Sequence, residues 1–193
     1  ARTFQHLAWF LVPLLMLTDV AVCWGLSRAR RRWPLRAWSW LVLGALAREH
    51  ADGPAVSSRP FDAERTGLVM GEGSAMLVLE SEDSALARGA TPLAEVVGYG
   101  TSSDAHNLTE PLAPTQSRAM KMALADGDVP PEAVGYVNAH ATGTVAGDRV
   151  ECAAIREAFG GHADSLAVSS TKGVHGHLIG AAGAMEALWT VCA

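Results

Sequence analysis

Two short runs near the C-terminal end, Asn138-Ala139-His140-Ala141-Thr142-Gly143-Thr144 and Ser169-Ser170-Thr171-Lys172-Gly173-Val174-His175-Gly176-His177, constrain this chain more than any other feature. Each closes a predicted strand and delivers an imidazole into a turn rich in glycine and threonine; the second adds a lysine. In sheets whose strands alternate with helices, chemistry gathers beyond the carboxyl ends of the strands. Both histidine turns fall there, so His140, His177 and Lys172 are placed to converge on one anionic intermediate and stabilise its charge.

The alternation itself starts near Leu41. Leu41 to Arg48 reads as the end of a helix, and Asp52-Gly53-Pro54 breaks it. Gly73 to Glu80 reads as a buried strand, and Ser81 to Arg88 as a helix ended by Gly89. Strands at Leu93 to Tyr99, Val134 to Asn138 and Leu166 to Ser169 then alternate with helices at Gln116 to Leu124, Asp148 to Phe159 and Gly176 to Cys192. This is an α/β chain with a sheet covered on its faces. In the last helix Gly176, Gly180, Gly183, Ala184 and Ala187 recur every three or four residues, which predicts a buried helix closely approached by another backbone. Its N-terminus would favour a neutral His177, and Lys172 pushes the same way by like-charge repulsion.

The first forty residues are a different kind of sequence. They hold five of the six tryptophans, and the first fifty carry seven arginines against Asp19 and Glu49, although the whole chain has a formal charge of −5. Leu7 to Leu26 is almost continuously apolar and is followed by Arg28, Arg30, Arg31 and Arg32. Two readings stand: a membrane anchor with a basic flank, or out-of-frame translation of a GC-rich gene. Association with a membrane through residues 7–26 therefore stays open beside a cytoplasmic location. The acidic remainder argues against nucleic acid as a partner, since phosphate neutralisation needs clustered basic residues. Cys23, Cys152 and Cys192 are odd in number and irregularly spaced, which fits a reducing compartment, with Cys152 and Cys192 read as small buried hydrophobes.

Three ordered blocks carry a family resemblance: Arg59 to Gly73 (RPFDAERTGLVMGEG), NAHATGT, and SSTKGVHGHLIGAAGAMEA. They resemble the signature blocks of the β-ketoacyl synthases, the condensing enzymes of fatty-acid and polyketide synthesis. The resemblance implies a thiolase-like layered α/β fold, here incomplete. Residues 41–88 match the end of the first half, 89–193 match a truncated second half, and 1–40 are unassigned. It further implies decarboxylative Claisen condensation of a malonyl thioester with an acyl thioester, in fatty-acid synthesis or alternatively as a polyketide ketosynthase. His140 and His177 would be paired N–H donors to the enolate oxygen, with Lys172 as the site lysine and Glu186 as its carboxylate partner. Thr142 and Thr144 match positions that hydrogen-bond the pantetheine arm. Glu151 matches a supporting acidic position, although Asp148 and Glu151 also read as a helix-capping pair. No cofactor beyond the phosphopantetheine carried by an acyl carrier protein partner is implied, no metal is implied, and full-length members form homodimers.

The departures from the family matter as much. Its catalytic cysteine lies in the first half, and Val22-Cys23-Trp24-Gly25 does not match that motif, so the polypeptide alone is expected not to condense. The glycine-rich C-terminal block is not present in the sequence, and His175 stands where the family usually has threonine. A cysteine-less partner subunit without catalysis is the non-enzyme alternative. Two rival chemistries are weaker. Zinc on His140, His175, His177 and Cys152 lacks a suitably spaced ligand pair. The Ser169-Ser170-Thr171-Lys172 match to S-x-x-K places its serine at the end of a strand, where a hydrolase would have it open a helix. The long polar loop from Thr101 to Thr115 reads either as the mouth of a pantetheine tunnel or as solvated surface, and the Arg65 and Glu72 block reads as a brace for the fold.

Overall fold

The computed structural model describes residues 45–107 and 110–193, so the apolar run at 7–26, Cys23 and the first part of the helix expected at 41–48 lie outside the described residues. At the described end of that helix Ala45 is helical, but Leu46 already pairs as a parallel bridge with Leu68. Gly53, at φ 104, then turns the chain into a short 3-10 turn, Pro54–Val56.

Helix α1, Glu82–Ala87, is capped by Ser81, whose hydroxyl accepts from the Ser84 N–H, and carries Glu82 and Asp83 in its first turn, where negative charge suits the helix dipole. Helix α2, Ala113–Asp126, starts after Leu112 with Pro114 in its first turn, a place where a missing N–H costs nothing. Strand β1, Tyr136–Asn138, helix α3, Val145–Phe159, and strand β2, Ala167–Ser169, form a strand-helix-strand unit. The strands are parallel, pairing Tyr136 with Ala167, Val137 with Val168 and Asn138 with Ser169. Ala139, Ala141, Ile155, Ala158, Phe159 and Leu166 form the core beneath this unit, with Phe61, Met120 and Leu124 packed against it. Alanines at 139 and 141, each 1% exposed, allow the strand end to lie close to α3.

Several expectations are corrected. Gly73–Glu80 and Leu93–Tyr99 are not strands: among the described residues no backbone-to-backbone hydrogen bond reaches 72–80 or 91–98. Met76, Val78, Leu79, Leu93 and Val96 are 75–90% exposed. An apolar run becomes a buried strand only when neighbours pair its edges and cover its faces, and the described residues supply neither. The end of each run is held by a carboxylate: Glu80 accepts from Ser84 and Arg88, and the Tyr99 N–H donates to the Asp126 carboxylate at 3.0 Å.

The helix expected over 176–192 is also broken. A four-residue helix, α4, Lys172–His175, ends at Gly176, which adopts φ 70. His177 follows in an isolated bridge to Met70, a 3-10 turn spans Ile179–Ala181, and helix α5 runs only over Ala182–Cys192. Glycine takes the left-handed conformation that stops a helix without steric cost. Of the glycines on the small-residue face only Gly176 meets a close backbone among the described residues, its Cβ position lying 2.9 Å from the Val69 carbonyl oxygen, whereas a Cβ built at Gly180 or Gly183 finds nothing within 4 Å. Cys152 and Cys192 are exposed, because their helix faces have no cover among the described residues.

Candidate active site around His140 and His177

The turn that carries His140 is held by carboxylates. Beyond β1 the ladder continues one residue further, the Ala139 N–H donating to the Ser169 carbonyl at 2.8 Å. The next two N–H groups, of His140 and Ala141, each donate at 2.7 Å to one oxygen of Glu151. The Ser170 hydroxyl donates to the Ala141 carbonyl at 2.9 Å. Asp148, 1% exposed, accepts from the Gly143 N–H at 3.1 Å and from the Phe61 N–H at 2.9 Å, and pairs with Arg65 at 3.6 Å. Arg65 also donates to the carbonyls of Asp62, Thr144 and Val145, which makes it the expected brace, while Glu72 is exposed.

Asp148 and Glu151 therefore do more than cap a helix. They sit three residues apart on one face of α3 and hold the backbone of the turn before it, so the capping-pair reading is corrected. Gly143 needs to be glycine, with φ 84 and a Cβ that would lie 2.8 Å from the Gly67 carbonyl oxygen. Thr144, at the start of α3, makes no capping bond with its side chain; the Thr142 hydroxyl donates to the Thr144 hydroxyl at 3.2 Å.

His177 is positioned by the block that contains residues 69–71. Its N–H donates to the Val69 carbonyl at 2.7 Å, and its carbonyl accepts from the Gly71 N–H at 3.0 Å. A Cβ at Gly71 would fall 2.0 Å from the His175 carbonyl oxygen, so the two segments meet backbone to backbone. The Ile179 N–H donates to Nδ1 of His177 at 3.3 Å. A neutral ring that accepts at Nδ1 carries its proton on Nε2, which is left to donate.

These two backbones bring the rings together: the centroids of His140 and His177 are 5.1 Å apart with an interplanar angle of 86°. Burial, then the Lys172 charge, holds the His140 imidazole below its ordinary value. Burial also lowers His177, followed by the influence of His140 and Lys172. The cause expected for His177, a helix N-terminus, is replaced by burial, because α5 begins only at Ala182. Both rings are thus biased toward the neutral form. Glu151 is shifted upward by burial, against the downward pull of the Ala141 and His140 N–H groups.

Lys172 is fully buried, and its ammonium pairs with the Glu186 carboxylate on α5. Asn138, unassigned in the sequence reading although it opens the NAHATGT block, donates from Nδ2 to the Glu186 carbonyl at 3.2 Å and to the Thr190 hydroxyl at 3.0 Å. It ties the end of β1 to the helix that carries the lysine's partner. A polar residue ending an apolar strand was the signal for it.

The three residues expected at the centre, His140, His177 and Lys172, come together with the two expected to support them, Glu186 and Glu151, and Thr142 and Thr144 lie on the same turn as His140. His140 and Glu151 border an open depression of about 670 Å³ shared with the loop from Gly100 to Asp104. The serine-lysine rival finds no such geometry. Ser169 hydrogen-bonds Tyr136 at 2.8 Å, with the lysine committed to Glu186. Among the described residues no group of three or more His, Cys, Asp or Glu side chains is set to hold a metal ion. Nor, among them, is any helix long and apolar enough to cross a membrane.

Comparison with known proteins places the fold. A type II polyketide ketosynthase solved with its acyl carrier protein superposes with a TM-score of 0.75 at 36% identity, covering 82% of this chain and 40% of that one. The fold is accordingly the thiolase-like layered α/β fold of the condensing enzymes, present in part. Residues 93–193 match the family described as "Beta-ketoacyl synthase, C-terminal domain". Nodulation protein E of Rhizobium leguminosarum bv. trifolii is 44% identical over 176 residues, 91% of this chain and 40% of that protein. The 3-oxoacyl-[acyl-carrier-protein] synthase 2 of Synechocystis sp. is 50% identical over 144 residues, 74% of this chain and 35% of that protein. The chain belongs to the β-ketoacyl synthase family, as a C-terminal portion. It spans about two-fifths or less of the length of these curated relatives.

Proposed function

We propose that this chain supplies the decarboxylation half of a β-ketoacyl-acyl carrier protein synthase site. The observation that carries the reading is the pair of neutral-biased imidazoles with centroids 5.1 Å apart beside a buried lysine. A malonyl thioester docks with its carbonyl oxygen between the two N–H donors. The bond to the carboxylate breaks, CO2 leaves, and the electron pair passes into the enolate, whose oxygen the two rings stabilise. The enolate carbon then attacks an acyl thioester, and the new carbon-carbon bond forms as a thiolate is expelled. Removing one donor of this kind typically costs about 10²–10³ in rate.

The cysteine that carries the acyl group is supplied from outside the described residues, since Cys152 and Cys192 are exposed and absent from the site. Lys172 and Glu186 keep the local charge balanced. The Thr142 and Thr144 hydroxyls, 3.2 Å apart on the turn that carries His140, face the pantetheine arm of an acyl carrier protein. Fatty-acid elongation is favoured by the 50% identity to a 3-oxoacyl-[acyl-carrier-protein] synthase; polyketide extension is the alternative, given the likeness to a polyketide ketosynthase at 36% identity.

The test separates the two half-reactions. Purified protein is assayed for CO2 release from malonyl-acyl carrier protein and, with a cysteine-bearing synthase polypeptide added, for carbon-carbon bond formation from an acyl thioester. CO2 release that depends on His140 and His177, with condensation only when the cysteine is supplied, supports the reading. Condensation that is never restored, with no CO2 release, assigns the chain to the non-catalytic alternative.

A further inference from the structure

We propose that His175 is a positioning residue for His177, pinning the peptide plane that delivers the catalytic ring. The inference rests on the proposed function for its catalytic meaning. Its geometry stands apart from that reading.

The ring of His175 is turned into its own turn. Its Nδ1 lies 2.7 Å from the Gly176 carbonyl oxygen, and its Nε2 lies 3.0 Å from the Thr171 hydroxyl. A carbonyl only accepts, so Nδ1 carries the proton, and in the neutral ring Nε2 accepts from the Thr171 hydroxyl. One tautomer satisfies both bonds. The Gly176 carbonyl belongs to the same peptide as the His177 N–H, which donates to Val69 at 2.7 Å. That peptide plane is thereby fastened at both edges, by an imidazole on one side and by the bridge to residues 69–71 on the other. Gly176 needs this restraint, because at φ 70 glycine is as free to leave the conformation as to keep it. With the plane fixed, the Cα of His177 is fixed as well, and the Ile179 N–H bond to its Nδ1 orients the ring that meets His140.

A threonine at this position would supply no ring to span the Gly176 carbonyl and the Thr171 hydroxyl.

Ring-to-ring NMR contacts test the proposal without any substrate, so a failure here is distinguishable from a failure of the proposed activity. His175→Ala removes the anchor; His175→Asn keeps a side-chain N–H for the Gly176 carbonyl. The His175→Ala variant is expected to lose the ring-to-ring contact signal between His140 and His177, and His175→Asn is expected to restore it. An unchanged ring contact in a folded His175→Ala protein overturns the proposal, as does a His175→Asn protein that behaves like His175→Ala.

Discussion

The turn at Asn138–Thr144 and the open runs at 72–80 and 91–98 differ in what holds them. In the turn, the N–H groups of residues 139, 140, 141 and 143 all donate, three of them to the carboxylates of Asp148 and Glu151. In the runs, among the described residues, no backbone group is paired with another backbone, although their side chains are the more apolar. Hydrophobicity alone does not shape a segment that must find its partners elsewhere, whereas carboxylates eight and eleven residues after His140 bring the partners with them. The turn that carries His140 is therefore built locally, within a part of a larger fold.

That contrast can be broken by substitution. The largest effect is expected from Lys172→Met, which leaves the Glu186 carboxylate without its buried cation: a loss of about 3–5 kcal/mol in urea unfolding, largely recovered in Lys172→Met/Glu186→Leu. An unaffected single variant would mean that the pair does not organise the site. Asp148→Ala strips acceptors from the Phe61 and Gly143 N–H groups and a partner from Arg65, and is expected to cost about 2–3 kcal/mol by the same measurement. Gly143→Ala, strained at φ 84, is expected to cost about 1–3 kcal/mol.

A pH series sharpens the comparison further. His140 and His177 have depressed values when folded, so the unfolded chain binds more protons near and below the ordinary histidine value of about 6.5. Their contribution to stability is present above that value and is lost as pH falls through the depressed folded values. Glu151, raised when folded, acts in the opposite sense: its contribution is greatest below the ordinary carboxylate range and declines as pH rises through its folded value. Unfolding midpoints followed from pH 7.5 to pH 5 should fall less steeply in His140→Gln/His177→Gln than in the unmodified protein; parallel slopes would contradict the assignment. The smallest effect on stability is expected from Val78→Lys in the open run, within about 0.5 kcal/mol, together with reduced self-association in light scattering. A cost comparable to that of Asp148→Ala would show that the run is packed after all.

What was legible in the sequence follows the same division. The strand-helix-strand unit could be read because β1, α3 and β2 lie close together in the chain and satisfy one another. The turns that carry His140, His177 and Lys172 could be read because each lies in a block whose turn residues have their own conformational logic. The unpaired runs were misread as strands because apolar character does not say whether a neighbour is present. Gly176 was misread as part of a helix because a glycine at a spacing that suits a packed helix face is also a glycine that can end one. The roles of Asp148 and Glu151 were half visible: their spacing marked one helix face, but which N–H groups they would receive depends on tertiary placement.

The most direct measurement is the rate of CO2 release from a malonyl thioester by the unmodified protein and by His140→Ala and His177→Ala separately. If the two rings share one enolate oxygen, each substitution lowers the rate by about 10²–10³. CO2 release that is unchanged by loss of either ring would contradict the account.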